Sequence, residues 1–319
     1  MPPKHNRAVA TCTCREGRVN GTAIKCSESC FEQDKPMYAL IVFAMLMLAS
    51  LSAPAASQGS LDRIRERGVI TMGYIDGAAP FSFVGPDKQP QGFSTDLCRE
   101  IAVGIRTQLK LEKLETRWVV LTIQERLEAV RTGQVDIECS TTTWTLSRQA
   151  IVDFSLIIFV DGGSILARSD AAFGRLLDFD GKRIAVITGT TTEQVLRQSL
   201  AQRSIKASVV PVKTRAEGFK LLNDSKVEGF ASDRTTLIEL VTASPGSGTF
   251  KLLEEDFSIE PYAFALPRGD HEFRLAVNRV LARLYRSGEI GSIYNRWLGR
   301  LGPPSLLLSA TYFVQALSE

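Results

Sequence analysis

The residue types best suited to chemistry lie in the stretch CSTTTWTLSRQ, residues 139–149. Four hydroxyl residues, Ser140 to Thr143, are followed five positions later by Arg148. Turn formation and helix capping explain many such hydroxyls. A guanidinium held beside small donors also suits a carboxylate, which it can bind through two parallel hydrogen bonds. The stretch therefore predicts an anion site, with Arg148 as its cation and Thr141 and Thr143 as candidate donors.

Two more polar groups follow predicted strands later in the chain. The stretch GTTTE opens a predicted helix, where Thr190 and Glu193 fit a capping box. Thr191 or Thr192 is then left to meet an anion at the helix N-terminus. Asp233 ends the strand VEGFASD, where it could bind an ammonium group or simply begin a loop. For Arg148, the alternative is an exposed charge on a surface helix. A cation for a carboxylate and a carboxylate for an amine are what a free α-amino acid needs.

Alternating strand-like and helix-like runs must position these groups. GVITMGYI, RWVVL and VDIEC predict strands, and STDLCREIAVGIRTQL, capped by Ser94, and TIQERLEAVRTG predict the helices between them. A similar series runs from GKRIAVITG to VEGFASD. This alternation predicts an α/β fold of two lobes, each a mixed sheet flanked by helices. The lobes are joined by extended runs near 159–168 and 255–264, and the ligand cleft lies between them at the strand ends.

Composition excludes several classes of function. The 319 residues carry a net charge of +3, and 44% of them are apolar, as in soluble globular proteins. No basic stripe with interleaved aromatics is present, which argues against nucleic-acid binding. His5 and His271 are the two histidines, so the body of the chain has no Ser-His-Asp triad and no histidine metal cluster. We expect no cofactor and no bond breaking.

The N-terminal part has the pattern of an export signal. Residues 38–51, YALIVFAMLMLASL, are uncharged, and the run is shorter than the roughly 20 residues that span a membrane. The sequence Ala53-Pro54-Ala55 follows, so we expect a signal peptide within residues 1–56, cleaved near Ala55 or Ala56. An uncleaved anchor is the alternative.

Six cysteines divide between the two parts of the chain. Four lie before the signal peptide: Cys12, Cys14, Cys26 and Cys30. Their spacing indicates either a zinc site or, if the protein in fact starts at Met37, a segment that is not part of it. Cys98 and Cys139 remain in the mature chain. In an oxidising compartment they could pair, and two buried free thiols are the other possibility.

Six motifs, taken in order, resemble the family 3 solute-binding proteins, the periplasmic amino-acid receptors of ABC importers. They are LDRIRERGVITMGY, PFSF…GFSTDLCREIA, RLEAVRTGQVDIECSTTTWTLSRQ, FVDGGSILAR, GKRIAVITGTTTE and LYRSGEIGSIYNRWLG. The resemblance covers about residues 61–300 and looks closest to the glutamate/aspartate and general amino-acid branch.

The resemblance implies a type II periplasmic-binding-protein fold that closes around its ligand by hinge motion. Lobe 1 would comprise residues 61–162 and 259–319, and lobe 2 residues 163–258. It also implies a periplasmic location, an amino acid as ligand and an ABC permease as partner. We expect a monomer.

The family pattern implies a role for each candidate residue. Arg148 would bind the α-carboxylate, Thr141 and Thr143 would lie at the hydroxyl-run positions, and Thr191 would lie at the helix start. Asp233 would bind the α-ammonium group.

The residues that would meet the ligand side chain only partly match the pattern. In the glutamate/aspartate branch basic residues surround the distal carboxylate, and Arg126 and Arg215 fall at two of their positions. Ile75 stands where an arginine is expected, and Ala78 lies near the place of the aromatic residue of basic-amino-acid receptors. The resemblance therefore favours an acidic or polar amino acid. Exposed helix charges are the alternative for both arginines.

Two other classes of function remain as alternatives. A periplasmic dehydratase of the cyclohexadienyl type resembles these receptors and would need an acid in the cleft. Glu138 is the nearest candidate, although it precedes a predicted core cysteine and is expected to point away. A sensory ligand-binding domain would need a membrane tether or an output domain. Trp144 would either line the cleft or brace its floor.

Overall fold

A computed structural model describes residues 58–243 and 247–318. The predicted signal peptide and the four upstream cysteines lie outside these residues. None of the helices in the described part of the chain is long and apolar enough to cross a membrane.

The described chain alternates strands and helices, as the sequence predicts. The strands are β1 (Val69–Tyr74), β2 (Phe83–Val84), β3 (Pro90–Gln91), β4 (Glu115–Val120), β5 (Ile137–Glu138), β6 (Asp153–Arg168), β7 (Arg183–Ile187), β8 (Ser208–Val212), β9 (Gly229–Asp233), β10 (Phe250–Leu252) and β11 (Ser258–Leu266). The helices are α1 (Ser60–Arg67), α2 (Phe93–Gln108), α3 (Arg126–Arg131), α4 (Leu146–Gln149), α5 (Thr191–Gln202), α6 (Arg215–Asn223), α7 (Arg234–Ala243), α8 (His271–Ser287), α9 (Glu289–Leu298) and α10 (Leu306–Val314).

The main sheet runs through both series of elements. Its order is β4-β1-β5-β11-β6-β9-β7-β8, and β10 pairs with β6. The strands at either end are parallel, as βαβ units require, whereas β6 and β11 pair antiparallel in the middle. The first part of β6 pairs with β11 and its last part with β9 and β10. The two extended crossings that the sequence predicts are therefore these two long strands.

Helices cover both faces of the sheet and bury its apolar residues. The first-series core is built from β1, α2, α8 and α9, with Ile70, Leu97, Ile101 and Leu281 fully buried. The disulfide between Cys98 and Cys139 lies in this core and joins α2 to the residue after β5, with 6.2 Å between the Cα atoms. This settles the choice between a pair and two free thiols.

The structure corrects one local expectation and contains two helices that were not assigned from the sequence. Ser94 does not cap α2: Gly92, with φ +129°, is the N-cap residue, and the Ser94 hydroxyl lies inside the helix and donates to the Ser140 carbonyl at 3.0 Å. Helix α7 follows β9 directly and was not predicted. The C-terminal tail is a packed helix, because the buried Tyr312 hydroxyl donates to the Ile158 carbonyl at 2.8 Å.

The two-lobed fold class is confirmed, and the proposed lobe boundaries stay a prediction.

Candidate functional site

The hydroxyl run is held as a rigid edge beside the middle of the sheet. Ser140, Thr141, Thr142 and Thr143 are all buried. Thr143 forms a β-bridge with Tyr262 of β11. The β11 backbone also accepts a hydrogen bond from the Trp144 N–H and donates one to the Thr142 carbonyl. The Ser140 hydroxyl lies 2.9 Å from that of Ser82. The run therefore offers Thr141 and Thr143 in fixed positions.

Arg148 is folded back over this run. Its backbone N–H donates to the Thr145 hydroxyl, which caps α4, and its Nη1 donates to the Thr143 carbonyl at 2.9 Å. Only 9% of the residue is exposed. Burial, followed by the nearby charge of Arg126, lowers the pKa of Arg148 to about 10. The guanidinium therefore stays charged at neutral pH. One of its N–H groups donates to the Thr143 carbonyl, which is its one hydrogen-bond acceptor among the described residues.

The start of α5 and the end of β9 meet the run from the second series. Thr190 caps α5 by accepting from the Glu193 backbone N–H at 3.1 Å. The next residue, Thr191, places its hydroxyl 3.1 Å from that of Thr143. The Thr192 hydroxyl donates to Asp233 Oδ1 at 3.4 Å. Residues predicted on separate strand ends therefore meet at one place.

Two further arginines lie behind these groups. Arg215 begins α6, is 7% exposed, and lies 3.6 Å from Asp233 and 3.4 Å from the Thr141 hydroxyl. Its Nε has no hydrogen-bond partner among the described residues. Arg126 begins α3 and is 4% exposed. Burial lowers the pKa of Arg126, and the charge of Glu138 offsets part of this effect. Neither arginine is the exposed helix charge that was the alternative.

A cavity of about 550 Å³ opens beside Arg215. Ile75 and Ile123 line it from the first series, and Lys213 and Leu240 line it from the second. Arg215 therefore borders a space with largely apolar walls, which none of the other six predicted residues lines.

Glu260 is a buried carboxylate at the centre of the site that the sequence analysis did not single out. It lies on β11, is 1% exposed, and accepts hydrogen bonds from the hydroxyls of Thr143, Thr191 and Ser258 at 2.7, 2.6 and 2.7 Å. An acidic residue inside the otherwise apolar run SIEPYAFAL was the available signal, because a charge in a buried strand requires partners.

Comparison with known proteins identifies the fold and the family. Residues 70–300 match the model of the bacterial extracellular solute-binding proteins, family 3. The chain belongs to this family. A curated relative, the L-glutamate/L-aspartate-binding protein of Pseudomonas aeruginosa, is 31% identical over 81% of this chain and 87% of its own length. The glutamate/aspartate import solute-binding protein of Escherichia coli is 26% identical over 86% of this chain and 91% of its own.

Solved structures of similar proteins agree with the family. An ancestral arginine-binding protein bound to arginine aligns with a TM-score of 0.66 and 26% identity, covering 73% of this chain and 99% of its own. An ancestral amino acid-binding protein, described as a precursor of cyclohexadienyl dehydratase, aligns with a TM-score of 0.66 and 27% identity over 75% of this chain and 99% of its own. The resemblance inferred from sequence motifs is confirmed.

In this family 3 member Glu138 does not point away from the site. It is fully buried and lies among Arg126, Arg148 and Thr142. Burial raises the pKa of Glu138, and the two arginines and the Thr142 hydroxyl lower it by less. The Thr142 hydroxyl lies near the Glu138 carboxyl group but is not hydrogen-bonded to it. Among the described residues, neither oxygen of that carboxyl group has a hydrogen-bond partner.

Trp144 follows the hydroxyl run and is partly exposed. It is 38% exposed, and its Nε1 donates to Gln149 at 3.2 Å. Its ring lies 6.5 Å from that of Phe154.

The solute-binding protein thus gathers all seven predicted residues around one place: Thr141, Thr143, Arg148, Arg126, Thr191, Arg215 and Asp233. The three guanidiniums lie among the carboxylates of Glu138, Asp233 and Glu260. The described chain has no group of three or more His, Cys, Asp or Glu residues that could hold a metal ion. The set of guanidiniums and carboxylates can hold a zwitterion by charge-assisted hydrogen bonds.

Proposed function

We propose that this solute-binding protein is a periplasmic receptor for a free amino acid, with glutamate or aspartate preferred, and that it delivers its ligand to the permease of an ABC importer. It acts as a monomer without cofactor or catalysis, after removal of an N-terminal signal peptide. Lobe 1 comprises residues 61–162 and 259–319, and lobe 2 residues 163–258. The lobes close around the ligand.

The observation that carries this proposal is the convergence of three buried arginines: Arg148 and Arg215 contact the hydroxyl run, and Arg126 interacts with Glu138 and Asp233. Arg148 binds the α-carboxylate, for which its fork is suited. Asp233 binds the α-ammonium group. Arg126 and Arg215 are then left for a second carboxylate, as an acidic side chain provides. The glutamate- and aspartate-binding relatives support this choice of ligand.

The electrostatic requirement argues in the same direction. Buried guanidiniums are costly unless they are paired. The arginines also repel one another: the charge of Arg126 lowers the pKa of Arg148, and the charge of Arg215 lowers that of Arg126. The carboxylates of Glu138 and Asp233 oppose this effect at both sites. A dicarboxylic amino acid adds two carboxylates and one ammonium, which relieves this repulsion. A basic amino acid would increase it.

Calorimetric titration of the purified mature protein against the standard amino acids tests the proposal. The protein is first unfolded and refolded to remove any carried ligand, with the disulfide kept intact. We expect glutamate or aspartate to bind most tightly. Removing one partner of a buried charge pair costs about 2–5 kcal/mol, so Arg148→Ala should weaken binding of every amino acid by about 30-fold or more.

Arg126→Ala should weaken acidic ligands by a similar factor and leave glutamine binding nearly unchanged. Arg131→Ala is the matched control, because it removes an exposed arginine of the same helix. Equal binding of many amino acids, with no effect of Arg126→Ala, would place the protein in the general amino-acid branch. Absence of binding to every amino acid would contradict the proposal.

A dehydratase remains the second candidate, since Glu138 is a buried acid beside two arginines and a structural neighbour is described as a precursor of such an enzyme. Incubation with prephenate and arogenate separates the two functions. We expect no turnover. Turnover that Glu138→Gln abolishes would instead assign the enzyme.

A further inference from the structure

The Glu260 carboxylate connects elements from both series of the fold. Thr143 follows β5, Thr191 begins α5, and both donate to the same oxygen, Oε2, at 2.7 and 2.6 Å. Ser258 donates to Oε1 at 2.7 Å. With 1% of the residue exposed, these three hydroxyls replace the water that a carboxylate needs.

These hydrogen bonds fix the direction in which the threonine protons point. A hydroxyl has one proton to donate and two lone pairs to accept with, whereas an ionised carboxylate can only accept. The protons of Thr143 and Thr191 are therefore committed to Glu260. Only their oxygen lone pairs remain for a bound molecule, even though the two hydroxyls lie 3.1 Å apart.

Lone pairs suit an ammonium group and repel a carboxylate. Asp233, a second acceptor, lies on the same side, because its Oδ1 accepts from Thr192, the residue after Thr191. The guanidinium of Arg148 donates instead, and it interacts electrostatically with Glu260. The acceptors, the two threonine oxygens and Asp233, are thus separate from the donor, Arg148.

We propose that Glu260 is a positioning residue for amino-acid binding, which orients the Thr143 and Thr191 hydroxyls as acceptors and so completes, with Asp233, the subsite for the ligand's α-ammonium group. This inference rests on the proposed function. It removes these two hydroxyls from the shell of the α-carboxylate, where the sequence pattern had suggested an anion. Arg148 is then the main partner of that carboxylate.

Glu260→Leu tests the orientation, because it removes both carboxylate oxygens and keeps a side chain of similar size. The protons of Thr143 and Thr191 then lose their acceptor and are free to turn toward the ligand. Loss of a hydrogen bond to a charged group predicts that glutamate affinity falls by about 10- to 100-fold. Glutarate, which has both carboxylates and no ammonium group, should bind at least as well as to the unchanged protein.

The affinity of both ligands is measured on protein freed of carried ligand. Glutamate is titrated by calorimetry, and millimolar glutarate is added as a competitor that displaces bound glutamate. Glu254→Leu is the control, because it makes the same change at an exposed position before β11. Thr191→Val is a second variant, for use if Glu260→Leu does not fold. It removes one acceptor and should give the same split between glutamate and glutarate.

The outcomes separate this inference from the proposed function. Unchanged or tighter glutamate binding to Glu260→Leu would overturn the inference. Equal weakening of glutamate and glutarate would reduce Glu260 to a structural role. Failure of the unchanged protein to bind any amino acid would overturn the proposed function and the inference together.

Discussion

The disulfide between Cys98 and Cys139 closes a long loop, since the two residues lie 41 positions apart. A cross-link stabilises a protein mainly by reducing the entropy of its unfolded chain, and a loop of this length corresponds to about 4 kcal/mol at room temperature. Domains of ordinary stability unfold with about 5–15 kcal/mol. Reduction should therefore remove a large part of the stability of this protein.

Guanidinium unfolding, followed by circular dichroism with and without reductant, measures the effect. We expect the free energy of unfolding to fall by about 4 kcal/mol on reduction. The double variant Cys98→Ala/Cys139→Ala should not respond to the reductant, which excludes a general effect of the reagent. A fall of less than about 1 kcal/mol would refute the loop-entropy argument and show that the unfolded chain is already restricted between these residues.

Asp161 should give the stability a pH dependence, because burial, followed by the charge of Asp233, raises the pKa of Asp161 to about 7. The folded state holds the proton more tightly than the unfolded state, so this stability is complete below the unfolded pKa and is lost as the pH rises through about 7, by about 4 kcal/mol in all. In Asp161→Asn this slope should be absent when the free energy of unfolding is measured from acid to alkaline pH, and an unchanged slope would assign it to another group. Gly92→Ala should cost more than about 2 kcal/mol in denaturant unfolding, since φ is +129° and the new Cβ would lie 2.2 Å from the Phe81 carbonyl oxygen. Gly291→Ala, in α9 with open space at its Cβ, should instead gain up to about 1 kcal/mol, and a loss there would show an unseen constraint.

Local patterns predicted most of the fold and the groups on strand ends. Strands such as β1 are apolar and bounded by glycine, and α2 repeats its buried residues at helical spacing, so each could be found from a short window. Thr141 and Asp233 were singled out because they lie at strand ends, and Arg148 because it follows the hydroxyl run. Parallel strands then bring such residues to one edge of the sheet.

Contacts between distant residues explain what was missed. Glu260 binds Thr143 and Thr191, which lie 117 and 69 positions away, and no local pattern contains that information. The alternation of side chains along β5 correctly predicts that Glu138 and Cys139 lie on opposite faces of the sheet. The Glu138 side chain is still buried, because α3 covers the other face with residues such as Ala129. In a sheet covered on both sides, no face is left for solvent.

If the two lobes close around a ligand as proposed, the pairing of β6 with β11 is the element that must bend. The two strands are hydrogen-bonded from Ser258↔Gly163 to Leu266↔Asp153, and the register shifts twice, next to Ala263. Two hydrogen-bonded strands resist sliding past each other but can bend and twist. They should bend most easily at the irregular pairing next to Ala263. Their stiffness would set the resting balance between open and closed receptor. Substitutions at that point could then change affinity for the solute, and the rate of its release to a transporter, without touching the ligand.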